Sequence, residues 1–278
     1  MANYTAADIK ALRERTGAGM MDVKKALDES DGDVDKAIEA IRIKGLKGAA
    51  KREGRSAAEG LITAKVTDQV GYLLEVNAET DFVAKSDKFI ALADKVLEVA
   101  VVSGHNGVEA LLEDEVDGKK LSDYVTEEAA ILGEKVVVRR LTKITGGYVD
   151  AYLHKTAKDL PAQVGVLVAV ADDSEEAKAA AHDVAVHAAA MSPSYLVRDE
   201  VPEEKVADER RIAEETARAE NKPEQAISKI IEGRTNAYFK EHVLVDQPFA
   251  KDPKQSVSQI LDAAGTKAVG FVRFRVGS

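Results

Sequence analysis

Apolar positions along the chain switch between helical and strand spacing, and the switches mark its elements. Ile9 and Leu12 begin a helical face behind Thr5 and Asp8, a pair that resembles a capping box with Asp in place of Glu. Gly17 or Gly19 is expected to end that helix. Met20, Val23, Ala26 and Leu27 predict a second helix. After the break at Asp31-Gly32, Asp33 is placed to cap a third that carries Val34, Ala37, Ile38 and Ile41. Residues 1–44 therefore read as a three-helix module with a small core. A module of this size has no cleft large enough for chemistry, which points to an interaction role, the alternative being a stabilising appendage. Met20 and Met21, beside glycine, favour a binding edge because methionine adapts to irregular surfaces.

Residues 45–59 read as a linker. Gly45, Gly48 and Gly54 alternate with Lys47, Lys51, Arg52 and Arg55, a composition expected to be flexible or weakly helical and to act as a solvated hinge. No phosphate-cradling G-x-x-x-x-G-K-[ST] pattern is present. Two-residue alternation then begins: Ile62, Ala64 and Val66, a turn at Asp68 to Gly71, and Tyr72, Leu74 and Val76 predict a hairpin.

The stretch that follows, Asn77 to Ser86, links this strand to a helix whose core face is Phe89, Ala93, Val96, Leu97 and Ala100. Phe82 lies in the linking stretch before that helix, directly after the carboxylate of Asp81, and so is a candidate to point elsewhere. The alternative is that Asp81 caps a helix and Phe82 fills a gap in the core. Helical spacing returns from Ser122 to Leu132, stopped by Gly133, and Lys135 to Ile144 reads as a strand.

The order then repeats. Tyr148 to His154 and Val164 to Ala171 are strand-like, Glu175 to Met191 is an alanine-rich helix, and Ala268 to Val276 is a last strand. Two related α+β subdomains, 60–145 and 146–278, are expected. Within the second, residues of about 201–241 read as a polar helical hairpin turning at Asn221-Lys222-Pro223. Its thin apolar stripe (Val206, Ile212, Ala213, then Ala226, Ile227, Ile230, Ile231) resembles an antiparallel coiled coil. Such an arm serves homodimerisation or partner contact, or is a surface hairpin of no function.

Composition narrows the function. The 278 residues carry a net charge of −10, which argues against a generic nucleic-acid-binding surface. There are no cysteines, no leader pattern and no membrane-spanning apolar run, so a cytoplasmic protein without disulfides or thiolate metal sites is expected. His182 and His187 are five apart and do not form an i, i+4 metal pair, and no histidine accompanies a nucleophile motif. Asn221-Lys222-Pro223-Glu224 imitates a guanine-reading motif, but it ends in Glu and has no phosphate loop beside it. The chain offers an enzyme very little, and neither cofactor nor metal is expected.

Several stretches resemble the bacterial elongation factor Ts family. They are Thr16-Gly17-Ala18-Gly19-Met20-Met21-Asp22 with Lys24-Lys25-Ala26-Leu27, Val76-Asn77 with Thr80-Asp81-Phe82-Val83-Ala84-Lys85, Glu232-Gly233-Arg234, Gln247-Pro248-Phe249, and Gly270-Phe271-Val272-Arg273-Phe274. The likeness runs through nearly the whole chain in order. It implies an N-terminal three-helix fold of the ubiquitin-associated type, two related α+β subdomains and a coiled-coil insertion. It implies a guanine-nucleotide exchange factor that binds elongation factor Tu, displaces its Mg2+ and promotes GDP release, with no direct contact to nucleic acid or membrane. Thr80, Asp81, Phe82 and Val83 would enter the partner near its magnesium site. Met20, Met21, Leu132, Gly133 and His154 would make further contacts. The competing readings are a scaffold or chaperone that binds elongation factor Tu without exchange, and an enzyme with an unrecognised carboxylate site.

Overall fold

The computed structural model describes residues 3–16, 18–67 and 69–278, with side chains at all of these except 46, 49 and 50. Three helices come first: α1 (Ala6–Thr16), α2 (Met20–Glu29) and α3 (Val34–Arg52). The first half of the core follows as β1 (Glu59–Thr67), β2 (Val70–Ala78), the single turn α4 (Asp81–Ala84), α5 (Asp87–Ser103), α6 (Val108–Leu112), a two-rung hairpin β3 (Glu115–Val116) and β4 (Lys119–Lys120), α7 (Leu121–Leu132) and β5 (Val137–Thr145). The second half is β6 (Tyr148–His154), β7 (Val164–Val170), α8 (Glu175–Met191), α9 (Glu203–Ala219), α10 (Glu224–His242), a small hairpin β8 (Pro248–Phe249) and β9 (Asp252–Ser256), α11 (Val257–Ala263) and β10 (Ala268–Arg275). The α+β class expected from the sequence holds.

The N-terminal helices start where side chains can satisfy their free N–H groups. The N–H and hydroxyl of Thr5 both donate to Asp8 Oδ2 (2.7 and 2.8 Å), and the Asp8 N–H donates back to Thr5 Oγ1 (3.2 Å). Asp33 caps α3 by accepting from the N–H groups of Asp35 and Lys36. Of the two glycines expected to end α1, Gly17 lies outside the described residues and Gly19 is the N-cap of α2. Leu12, Val23, Ala26, Leu27, Ala37 and Ile41 close a small separate core.

The expected hinge needs correcting. Residues 45–52 continue α3, and this extension packs against α7. A Cβ at Gly45 would stand 2.5 Å from the Ala130 carbonyl oxygen, so glycine there lets the two helices approach closely. Glu127 of α7 pairs with Arg42 of α3 and with Lys119 (2.6 Å). Burial raises its pKa, but these two cations outweigh burial and hold the carboxyl below its usual range. Of the two expected states, flexible or weakly helical, residues 45–52 take the helical one, and Gly45 lets that helix lie close against α7.

Each half of the core holds an antiparallel three-stranded sheet with the same order. The second strand of each hairpin is central, a 17-residue helix follows it, and a late strand returns to pair with it: β1-β2-β5 and β6-β7-β10. The sheets pack face to face between outer helices. Tyr72, Leu74 and Val76 of β2 face α5 and α7, while Leu73 joins Ile62, Val149, Leu167, Ala169 and Phe274 between the sheets. Val166, Val168 and Val170 of β7 face α8. The two-residue alternation read for β2 is thus incomplete, because the intervening side chains are buried as well.

The carboxylate buried at this junction is fully paired, although the Asn77 Oδ1 beside it has no partner among the described residues. The fully buried Glu75 accepts from Arg140 Nε (2.6 Å), Asn77 Nδ2 (3.1 Å) and the Gly277 N–H (3.1 Å), and Arg140 also donates to the Arg275 carbonyl (2.9 Å). The end of β10 is thereby tied to the first sheet. In the second half His187 Nδ1 accepts from the Ala250 N–H (3.0 Å), so its Nε2 carries the proton donated to Gln247 Oε1 (2.9 Å). Burial pushes this imidazole below its ordinary pKa against the opposing Gln247 bond, which keeps it neutral.

The helical hairpin forms as expected, with its seam drawn differently. Small residues, Ala213 and Ala217, face Ile227 and Thr235, whereas Ile212 is exposed. Arg218 bridges Glu214 and Glu224 across the turn (3.0 and 2.9 Å). The small hairpins, α6 and α11 were not anticipated, since elements this short carry too little periodicity to register.

The sheet-to-sheet contact sets a steric test. A Cβ at Gly165 would stand 2.5 Å from Ile62 Cγ2 and 2.8 Å from Leu73 Cδ1, whereas one at Gly54 would meet nothing within 4 Å. Gly165→Ala is expected to destabilise the fold by about 1–3 kcal/mol through overpacking. Gly54→Ala should stay within about 0.5 kcal/mol of the parent. Urea titration of the two variants checks the difference.

Candidate partner-contact site

The stretch after β2 is built to hold one side chain in the open. Thr80 ends the extended backbone and caps α4, its Oγ1 accepting from the Val83 N–H (3.3 Å). Ser86 caps α5 through the Phe89 N–H (3.3 Å) and donates to the Val83 carbonyl (2.8 Å). One helical turn is therefore gripped at both ends by hydroxyl side chains. Val83 rests against the first-half core, Ala84 is buried, and Phe82 is turned outward with 74% of its surface exposed. The core-filling alternative for Phe82 is excluded, and the capping residue is Thr80 instead of Asp81.

Two carboxylates staple this turn to the end of α7. Glu134 accepts from the Thr80 hydroxyl (2.6 Å) and from the Thr80 N–H (3.0 Å). One residue back and one residue on, Glu79 accepts from the Lys135 N–H (2.6 Å) and from Arg55 (3.0 Å). Burial raises the Glu79 pKa, but the Lys135 N–H and the Arg55 guanidinium prevail and hold the carboxyl below its usual range. The Lys135 ammonium donates to the Glu53 and Arg55 carbonyls just past α3. Three segments distant in sequence, 53–55, 79–83 and 133–135, thus meet at one place.

Phe82 is also held from the side. Lys85 lies over its ring, 4.8 Å from the centroid, and pairs with Asp81 (3.5 Å) and with Asp159 (3.4 Å) of the loop after β6. These exposed ion pairs restrain more than they stabilise.

The other sequence-predicted residues fall into two groups. Leu132 is half-buried at the end of α7, and Gly133, exposed with φ of 79°, is its left-handed cap, so both stand beside the stapled turn. Met20 and Met21 are exposed at the start of α2. The Lys88 ammonium, on the first turn of α5, donates to the Arg15 carbonyl (2.7 Å) and brings the α1–α2 junction toward that end of the core. His154 is exposed at the end of β6, where its Nδ1 meets the Tyr152 hydroxyl (3.3 Å), on the face of the sheet that carries α8. It is not joined to the Phe82 turn by any direct bond among the described residues.

Sequence reasoning missed Glu79, Glu134, Lys135 and Asp159. Glu79 and Glu134 are among 49 acidic residues, and only their positions beside Thr80 and beside the helix-ending Gly133 set them apart. Among the described residues, no group of three or more His, Asp or Glu could hold a metal ion, and no helix is long and apolar enough to cross a membrane.

Fold and turn together define a class: an α+β protein of two sheets back to back that presents a rigid aromatic turn at its surface. Comparison with known proteins makes this particular. The family model described as Elongation factor TS matches residues 79–278. The chain is 69% identical to elongation factor Ts of Micrococcus luteus and 70% identical to that of Arthrobacter sp., in each case over 278 residues and the whole of both chains. It is 54% identical, again over the whole of both chains, to elongation factor Ts of Kineococcus radiotolerans. The chain belongs to the elongation factor Ts family, a family of translation elongation factors.

Exposure separates two phenylalanines seven residues apart. Phe89 is fully buried, so Phe89→Ala should cost about 3–5 kcal/mol of stability. Phe82→Ala should leave stability within about 0.5 kcal/mol. Denaturant unfolding of both variants reads the contrast.

Proposed function

We propose that the chain is a guanine-nucleotide exchange factor that binds elongation factor Tu, displaces its Mg2+ and promotes GDP release during translation elongation. The observation that carries the reading is Phe82, an aromatic ring left 74% exposed on a turn that four side-chain caps and staples immobilise. Exposed rings are ordinary, but one held rigid on a loop between fixed elements is preorganised for contact.

An exchange factor makes and breaks no covalent bond, so an enzyme's catalytic set is not needed. It must grip the nucleotide-free partner harder than the nucleotide-bound one. By linkage, the factor by which nucleotide weakens its binding is the factor by which it weakens nucleotide binding. Burying a Phe side chain yields ~1.5–3 kcal/mol. At about 1.4 kcal/mol per tenfold, Phe82 alone supplies one to two decades. Other contacts must therefore share the work. Leu132 and Gly133 are beside the turn, Met20 and Met21 are on the N-terminal module, and His154 is on the second sheet. Asp81 brings a carboxylate next to the wedge. Thr80 to Val83 is the stretch that would perturb the magnesium shell. That ion bridges and neutralises the nucleotide phosphates, so losing it weakens nucleotide binding further.

Within this reading the chain divides into a three-helix module (1–44), a connecting segment (45–59), and two core subdomains (60–145 and 146–278), with the hairpin of about 201–241 as an arm. The protein works in the cytoplasm, touches neither nucleic acid nor membrane directly, and carries no cofactor of its own.

Phe82→Ala should lower the stimulated release of a fluorescent guanine nucleotide from elongation factor Tu by roughly ten- to a hundredfold, at unchanged fold stability. Stopped-flow fluorescence measures it. An unchanged rate removes Phe82 from the mechanism. Binding that persists while even the parent chain leaves release unaccelerated would favour a scaffold.

A further inference from the structure

We infer that Glu134 is a positioning residue for the exchange proposed above, completing from a distant segment the cap on which Phe82 stands. The inference rests on that reading of function.

A single helical turn does not hold itself, because fixing its dihedrals costs more than its one or two hydrogen bonds return. α4 is such a turn, with four residues. Turns of this kind are commonly secured by a capping box, in which the N-cap hydroxyl accepts from the N3 N–H and the N3 side chain, Glu or Gln, reaches back to the N-cap N–H. Here the first half of the box is present, Thr80 Oγ1 accepting from the Val83 N–H at 3.3 Å. The second half cannot be made locally. The N3 residue is Val83, which has no acceptor and whose side chain packs against the core.

Glu134, 54 residues further on, takes its place. Its Oε2 accepts from the Thr80 N–H (3.0 Å), the bond the N3 glutamate would have made. Its Oε1 accepts the Thr80 hydroxyl proton (2.6 Å), which leaves the Thr80 lone pairs for Val83. N3 is thereby released to be an apolar anchor, and the outward direction of Phe82 is fixed by a carboxylate from the loop after α7. Glu134 immediately follows Gly133, the cap of α7, so the cap also ties the Phe82 turn to the Leu132–Gly133 end. Both regions meet a partner as one body. The Glu79 bond to the Lys135 N–H runs alongside and keeps the two backbones in register.

The test uses the full chain with elongation factor Tu loaded with a fluorescent guanosine diphosphate, and Glu134→Ala, Glu134→Gln, Phe82→Ala and the Glu134→Ala/Phe82→Ala double variant. At saturating factor, Glu134→Ala should slow release roughly tenfold, the scale of lost hydrogen bonds to a charged group. Glu134→Gln should recover most of the rate, because its amide can still accept from the Thr80 N–H and bond the hydroxyl. In the Phe82→Ala background the Glu134→Ala change should cost clearly less than in the parent, since most of its effect passes through the Phe82 ring. Hydrogen exchange at the amides of residues 81–84 should accelerate in Glu134→Ala and be protected again in Glu134→Gln.

Three results would overturn the positioning role: full release by Glu134→Ala, multiplying effects in the double variant, or a slowed Glu134→Ala whose 81–84 amides exchange as in the parent. Should Glu134→Ala fail to fold, the Gln variant and its exchange pattern decide the matter, and a Gln variant as slow as Phe82→Ala counts against the cap. A parent chain that does not accelerate release refutes the exchange reading itself, which is a separate result.

Discussion

β2 is covered on both faces, and the rest of the molecule depends on that burial. Its Tyr72, Leu74 and Val76 side lies under α5 and α7, and Leu73 is pressed into the second sheet. A strand so enclosed has little room to slip, since a shift of one residue would exchange two packed sets of side chains. The turn that follows inherits this fixity. Thr80 and Phe82 leave the core from an immobile strand, and the Glu79 and Glu134 bonds stop the turn from swinging once it is outside. Rigidity of this kind converts an exposed ring from a liability into a contact of low entropic cost.

The same enclosure explains where charge is tolerated. A net-acidic chain places most of its ions on helical faces, yet Glu75 is fully buried beside β5. It is tolerated because Arg140, Asn77 and the Gly277 N–H satisfy it. This cluster joins the middle of the first sheet to the chain's last strand. The two halves, alike in strand order, are held by an apolar interface, by this cluster, and by bonds such as the Gln163 amide to the Gly60 carbonyl (2.8 Å) and the Ile62 N–H to the Ala162 carbonyl (2.9 Å). Lys85 and Asp159 add a surface tether between them close to Phe82.

Much of this was legible in the sequence where periodicity was long or capping chemistry was local. α8 was delimited from its alanine-rich run, the Thr5–Asp8 box and the Asp33 cap from residue type and spacing, and the end of α7 from Gly133. The outward direction of Phe82 was one of two readings left open, and the break between α4 and α5 at Lys85 and Ser86 decides it. What escaped was set by contacts between distant segments. Gly45 looked like a flexible joint and is a helix contact, because nothing local announces that Ala130 will lie against it. Leu73 fell outside the alternating set read for its strand, because the second sheet that covers it is supplied by residues 76 positions away and more. Glu134 looked like surface charge, since its partner Thr80 is 54 residues back. The role of the site was legible only through the family resemblance, because an exchange factor needs no catalytic constellation that spacing could betray.

The central claim is that this rigid turn serves differential binding: the molecule grips an emptied GTP-binding partner harder than a filled one. Calorimetric titration into elongation factor Tu, once stripped of nucleotide and once saturated with GDP, tests it most directly. The account predicts that the stripped form binds at least about tenfold more tightly, a gap of ~1.4 kcal/mol or more. Equal affinities in the two titrations would contradict it.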